Sequence, residues 1–146
     1  MSEWKSATGE VTHTRIFEAP RALVFRCWIE PEHLTHFWSP VGMSTPIGDI
    51  KIDPRPGGAF EITTVDDATG RGGPRRGQYV EVVEPERLVW TEYSITTTLT
   101  FVDLGDGRTE LRLHQANVPE TYLGPEAQAR FVTSFDLLAA HLKTVS

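Results

Sequence analysis

The sequence predicts an α+β fold: a curved antiparallel sheet wrapped around one long C-terminal helix, with two short helices after the first strand. Three observations predict it. The stretch from Arg15 to Trp38 leads from a strand end into two segments that open on Pro20 and Pro31. Proline suits a first helical turn because its missing N–H is unneeded there. From Ile47 to Gln115 the apolar residues recur at a period of two, in short runs broken by turns. Near the end the period changes: Ala127, Phe131, Phe135, Leu138 and Leu142 fall four, four, three and four apart, the spacing of an amphipathic helix. A helix this apolar, following a twisted sheet, is expected to lie in its concave face and to leave a cavity between the two.

Taken in order, residues 1–9 read as a flexible tail and residues 10–146 as a single domain. Residues 11–18 are rich in β-branched side chains and read as the first strand. Residues 20–29 and 31–38 read as the two short helices, with Val24 and Trp28 on one face. Ile50 and Ile52 then alternate with charged neighbours up to Arg55-Pro56-Gly57-Gly58, whose Pro and Gly suit the central positions of a type II turn. Phe60, Ile62 and Thr64 share a face of the next strand, and residues 66–73 read as a flexible hairpin loop. Strands over 78–83 and 88–95 follow across a turn, then strands over 96–104 and 109–115 across Gly105-Asp106-Gly107, a strong hairpin signal. Turns this short imply an antiparallel meander, because parallel strands require long crossovers. The final helix is expected over residues 125–143.

A chain of 146 residues can bury roughly two-thirds of its unfolded surface, enough for a core without disulfides or a structural metal. Its 39% hydrophobic and 23% charged residues place it with soluble globular proteins rather than disordered ones. The net charge of −6 gives no basic footprint for nucleic acid. Arg71, Arg75 and Arg76 form the only basic cluster, read as a solvated hairpin rather than an anion site. Cys27 is the sole cysteine, so no intrachain disulfide forms. Set among Val24, Phe25 and Trp28, it reads as a buried, inert thiol. No apolar run approaches the ~18 residues of a membrane span, and no apolar leader opens the chain. Cytoplasmic location without membrane insertion is expected.

Catalysis requires a nucleophile, an acid/base pair or a metal. No Gly-x-Ser-x-Gly elbow is present, and Gly57-Gly58 and Gly72-Gly73 are turn glycines rather than a phosphate loop. His33 and His36 share a helix face, but no neighbouring Cys or His completes a zinc set, so neither a metal nor a cofactor is expected. The aromatics Trp38, Phe60, Tyr79, Trp90, Phe101, Phe131 and Phe135 read either as a cavity lining or as plain core. If Leu88 and Trp90 point inward, alternation carries Glu92 with them; Leu111 and Leu113 likewise carry Gln115. Glu92 and Gln115 are therefore the candidate polar anchors for a ligand. The expected role is binding rather than catalysis. If turnover exists, Glu92 is the acid/base candidate, as a carboxylate held in an apolar cavity.

Four stretches carry a resemblance: Arg15-x-Phe17-x-Ala19-Pro20 leading into Val24, Trp28, Pro31-Glu32-His33-Leu34 and Trp38-x-Pro40; Asp53-x-Arg55-Pro56-Gly57-Gly58; Gly77-x-Tyr79-x-Glu81-Val82 with Pro85-Glu86-Arg87-Leu88; and Phe135-x-x-Leu138-x-x-x-Leu142. In this order the chain, from Thr12 to Leu142, resembles the family of homologues of the ninety-kilodalton heat-shock-protein ATPase activator. That family belongs to the START-like, or SRPBCC, superfamily with its helix-grip fold. Two departures alter the shape of any pocket. Phe37 precedes Trp38 where the family often pairs tryptophans, and Arg130-Phe131 stands where it often has Gly-Trp.

The resemblance implies a helix-grip fold with a pocket and no shared catalytic constellation. The expected function is binding of a small hydrophobic or amphipathic molecule, lipids included, between sheet and C-terminal helix. The alternatives are a co-chaperone-like or regulatory protein-interaction module, and a cyclase- or hydrolase-like enzyme acting on the bound molecule. The separate N-terminal domain of the eukaryotic co-chaperones has no counterpart in the sequence, so a chaperone partner is not expected; a homodimer is compatible with this reading. An enclosed cavity would favour the ligand, and a filled interior with exposed apolar residues a partner surface.

Overall fold

A computed structural model of the chain describes residues 2–145. Nine strands form one sheet: β1 (Ser2–Ala7), β2 (Glu10–Phe17), β3 (Met43–Ser44), β4 (Ile50–Ile52), β5 (Ala59–Asp66), β6 (Gly72–Val83), β7 (Arg87–Glu92), β8 (Ile95–Asp103) and β9 (Thr109–Ala116). Their order across the sheet is β1-β2-β9-β8-β7-β6-β5-β3, with β4 also paired to β5. Every pairing is antiparallel. The helices are α1 (Arg21–Ile29), α2 (Pro31–Leu34) and α3 (Pro125–Val145).

The first residues depart from expectation. Ser2–Ala7 are not a tail but the edge strand of the sheet, paired with Glu10–Arg15; Met1 lies outside the described residues. Glu3, Lys5 and Ser6 lack the β-branched content that marks a strand, so pairing rather than propensity sets this conformation. The one local signal is Gly9, whose φ of 74° lets the chain reverse between β1 and β2. The second helix is also shorter than expected, ending at Leu34 before a turn through residues 35–38.

Alternation builds the core as expected. His13, Leu113, Leu99, Leu88 and Val82 lie opposite one another across five strands, and four of the five are buried, with Val82 packed at the margin. The predicted turn is present: Gly57 has φ 85°, and the Gly58 N–H donates to the Arg55 carbonyl at 2.8 Å, as a type II turn requires. On α3, Phe135, Leu138 and Leu142 are buried and Phe131 is half-buried, so the apolar stripe faces the sheet. Phe135 meets Phe17 edge-on at 6.2 Å, and Asp136 pairs with Arg15 at 2.8 Å. The helix α1 buries Leu23, Val24, Phe25, Cys27 and Trp28, more than one face, because it lies against β8 through Phe25 and Phe101 at 5.2 Å and also against α2. A helix apolar on most sides belongs inside.

Candidate functional site

The nine residues expected to line a ligand cavity are separated by the fold into distinct groups. Trp38, Phe60, Tyr79 and Trp90 come together, with ring centroids 5.4 to 6.4 Å apart. Glu92 joins them: its Oε1 accepts a hydrogen bond from Trp90 Nε1 at 3.1 Å. Phe131 and Phe135 instead surround His13. Phe101 packs under α1, and Gln115 donates to Thr97 Oγ1 at 3.1 Å. Tyr79, Trp90, Thr97 and Gln115 do occupy one row across the sheet, so alternation placed Gln115 on the correct face.

The aromatic group is packed rather than hollow. Trp28 completes it, 6.3 Å from Trp90 and 6.5 Å from Trp38. Among Trp28, Leu34, Trp38, Phe60, Ile62, Tyr79, Leu88 and Trp90 the free space is about 10 Å³, room for about one water molecule. No ligand-sized space opens among these rings. Rings meeting at steep angles interlock: Phe60 stands at 89° to Trp90 and Trp38 at 73° to Phe60. Edge-to-face contacts of this kind fill space and add cohesion beyond burial alone. Burial also drives the Tyr79 phenol well above its ordinary range, aided by Asp53, so it stays protonated.

The carboxylate of Glu92 is 4% exposed and points inward as alternation predicts. It is not an isolated charge. Arg75 Nη2 lies 2.6 Å from its Oε2 as an ion pair, although that oxygen accepts no aligned hydrogen bond, while Oε1 takes the indole N–H. Two of the three arginines of the basic hairpin are thereby paired: Arg75 with Glu92, and Arg76 with Glu61 at 2.9 Å. Burial and the nearby Glu30 push the Cys27 thiol up to about 12, far from the range of a reactive thiolate.

Sequence reasoning missed three features. His13 is buried and its Nε2 donates to Gln128 Oε1 at 2.8 Å, while Gln128 Nε2 donates to the Tyr122 carbonyl. The signal was available, because His13 alternates with Val11 and Phe17, and Gln128 precedes Phe131 on the helical stripe. Trp28 Nε1 is buried without a hydrogen-bond partner. An open groove of about 440 Å³ runs between the turn after α2 and α3, lined by Thr35, His36, Pro40, Val41, Met43 and Leu137 among others. Val41 is 76% exposed on its wall, and Ile47 just beyond Pro46 is 53% exposed.

The sequence model of a family described as "Activator of Hsp90 ATPase homolog 1-like protein" matches residues 18–143. The chain belongs to this family. No curated protein matches it. Among solved structures, a protein of Chromobacterium violaceum is 26% identical, with 94% of this chain and 99% of that one aligned at a TM-score of 0.81. A protein of Nitrosomonas europaea is 23% identical over 96% and 97% of the two chains, at a TM-score of 0.83. The AHSA1 protein of Silicibacter pomeroyi is 18% identical over 94% and 99%, at a TM-score of 0.78. These likenesses carry the α+β helix-grip fold with its antiparallel sheet and long C-terminal helix. The family's description also corrects one expectation. A family characterised by an activator of the Hsp90 ATPase gives no ground for setting a chaperone partner aside. Among the described residues, no helix is long and apolar enough to cross a membrane.

Proposed function

We propose that this AHSA1-like chain is a protein-interaction module of the co-chaperone type, whose partner is an Hsp90-type chaperone. The observation that carries this reading is the tight packing of the aromatic group: about 10 Å³ of free space among its side chains against the several hundred Å³ usual for a ligand site. The family description supplies the partner. The open groove beside α3, of mixed polar and apolar lining with Val41 exposed on its wall, supplies the surface proposed for the contact. The test is titration of the purified chain into a purified Hsp90-type chaperone in its ATP-bound and ADP-bound states, following binding and ATPase rate together. Saturable binding with a changed ATPase rate is expected, weakened tenfold or more by Val41→Asp. Absence of binding in both nucleotide states would overturn the reading.

A second reading rests on Trp28. A buried indole N–H without an acceptor is costly, and it lies beside Trp38 and Trp90. A small apolar molecule carrying one acceptor would satisfy it if the half-buried Trp38 moved aside, with Phe60, Tyr79, Trp90 and Glu92 as the lining. Native mass spectrometry of freshly purified protein decides this. A retained small molecule, lost in Trp28→Phe, supports the ligand reading; bare protein mass throughout refutes it.

A further inference from the structure

We propose that Cys27, His33 and His141 form a binding site for Zn²⁺ that ties α1, α2 and α3 together. The three come from the end of α1, from α2 and from the last turns of α3. Their candidate ligand atoms, the Cys27 sulfur and one nitrogen of each imidazole, all lie within 4.8 Å of one another. His33 Nδ1 and His141 Nε2 are 2.8 Å apart and share a hydrogen bond. In a tetrahedral site with bonds of about 2.0–2.3 Å, ligand atoms stand roughly 3.3–3.7 Å apart. The two rings must therefore separate by about half an ångström and the sulfur draw in, shifts within reach of side-chain rotation.

The donor set fits this cation. One thiolate and two neutral imidazoles suit zinc, whereas hard cations take oxygen ligands. The outer contacts fit as well. Glu30 Oε1 lies 3.3 Å from His33 Nε2, the nitrogen facing away from His141. A carboxylate on the far nitrogen is the arrangement that holds a metal-binding histidine in the required tautomer, with the lone pair on the near nitrogen. His36 stacks on His141 at 4.5 Å and 16°. It also lines the open groove. Binding replaces the Cys27 thiol proton, which passes to solvent, and three protein ligands leave a fourth position for water. The inference is independent of the partner proposed above.

The spacing within α2 concealed this site, because one of its ligands, His141, lies 108 residues from His33 in sequence. A competing group exists in Glu30, Glu32 and His33, and the thiol separates the two. Cys27 is the only cysteine, so any thiolate-to-metal absorption band reports this site alone. The experiment is titration of chelator-stripped protein with Co²⁺, followed by displacement with Zn²⁺. One equivalent of Co²⁺ is expected to raise a near-ultraviolet thiolate band together with the visible bands of tetrahedral cobalt, and Zn²⁺ to abolish both. Zn²⁺ affinity should fall at least tenfold in His141→Gln and about 10–100-fold in Glu30→Gln, whose carboxylate acts from outside the ligand set. Zn²⁺ should raise the melting temperature of the wild type and leave that of Cys27→Ala unmoved. A folded wild type that binds Co²⁺ without a thiolate band overturns the proposal, as does Zn²⁺ affinity unchanged in His141→Gln.

Discussion

Gly77 offers the sharpest test of the interior. It lies opposite Phe60 in the β5–β6 pairing, and the Phe60 ring covers the place where a side chain would stand. A Cβ added there would sit 2.3 Å from Phe60 Cζ and 2.5 Å from the Thr91 carbonyl oxygen. Comfortable carbon contacts need about 3.5–4.0 Å, so the ring would have to shift by more than an ångström. It cannot do so alone, because Trp38, Tyr79 and Trp90 pack against it. The Thr91 oxygen is strand backbone, held by the β6–β7 and β7–β8 ladders. Overpacking costs about 1–3 kcal/mol, and clashes this close, one of them with backbone, put it at about 2–3 kcal/mol, offset by roughly 0.5–1 kcal/mol for removing a flexible glycine from a strand. Gly77→Ala should therefore lose about 1–2 kcal/mol, lowering Tm by about 2–8 °C for a chain of this size. Urea unfolding followed by circular dichroism and by tryptophan fluorescence measures it. Adding Phe60→Leu should recover part of the loss, with a coupling of at least about 0.5 kcal/mol. A Gly77→Ala variant as stable as the wild type would show that the ring does not cover the glycine, and the filled interior would have to be abandoned.

Leu138 is fully buried on α3, so Leu138→Ala should cost about 2–5 kcal/mol in the same unfolding assay; a loss under about half a kcal/mol would mean that the stripe does not face the sheet. Arg75→Ala should destabilise by about 1–3 kcal/mol because it strands the buried Glu92 carboxylate, and Glu92→Gln in that background should restore much of it; equal losses in the single and double variants would exclude the pair. Burial holds the His13 imidazole below its ordinary range, only partly opposed by the Gln128 hydrogen bond, so below pH ~6.5 the unfolded chain binds more protons at this site. The stability linked to His13 is complete above that pH and is lost as the pH falls toward the lowered folded value. Melting temperature should drop on acidification through this window, and His13→Gln should flatten the drop; an unchanged slope would show that His13 titrates freely.

What the sequence by itself determined is what repeats locally. Strand alternation put Phe60, Leu88, Trp90, Glu92, Leu111, Leu113 and Gln115 on the buried face, and a spacing of three and four put Phe135, Leu138 and Leu142 on the inner side of α3. Pro56 and Gly57 specified their turn because a backbone angle is a property of the residue itself. These signals depend on neighbours a few positions away, so they survive without knowledge of the rest of the chain. Tertiary structure decided what depends on distant groups. Whether the aromatic side chains enclose a space or fill it turns on their mutual ring angles, and a cavity is a small difference between large volumes. Glu92 acquired Arg75, and Ser2–Ala7 became a strand, only because another strand lay within bonding distance. Cys27, His33 and His141 met for the same reason: α3 returns across the sheet and ends beside the helix pair that opened the fold.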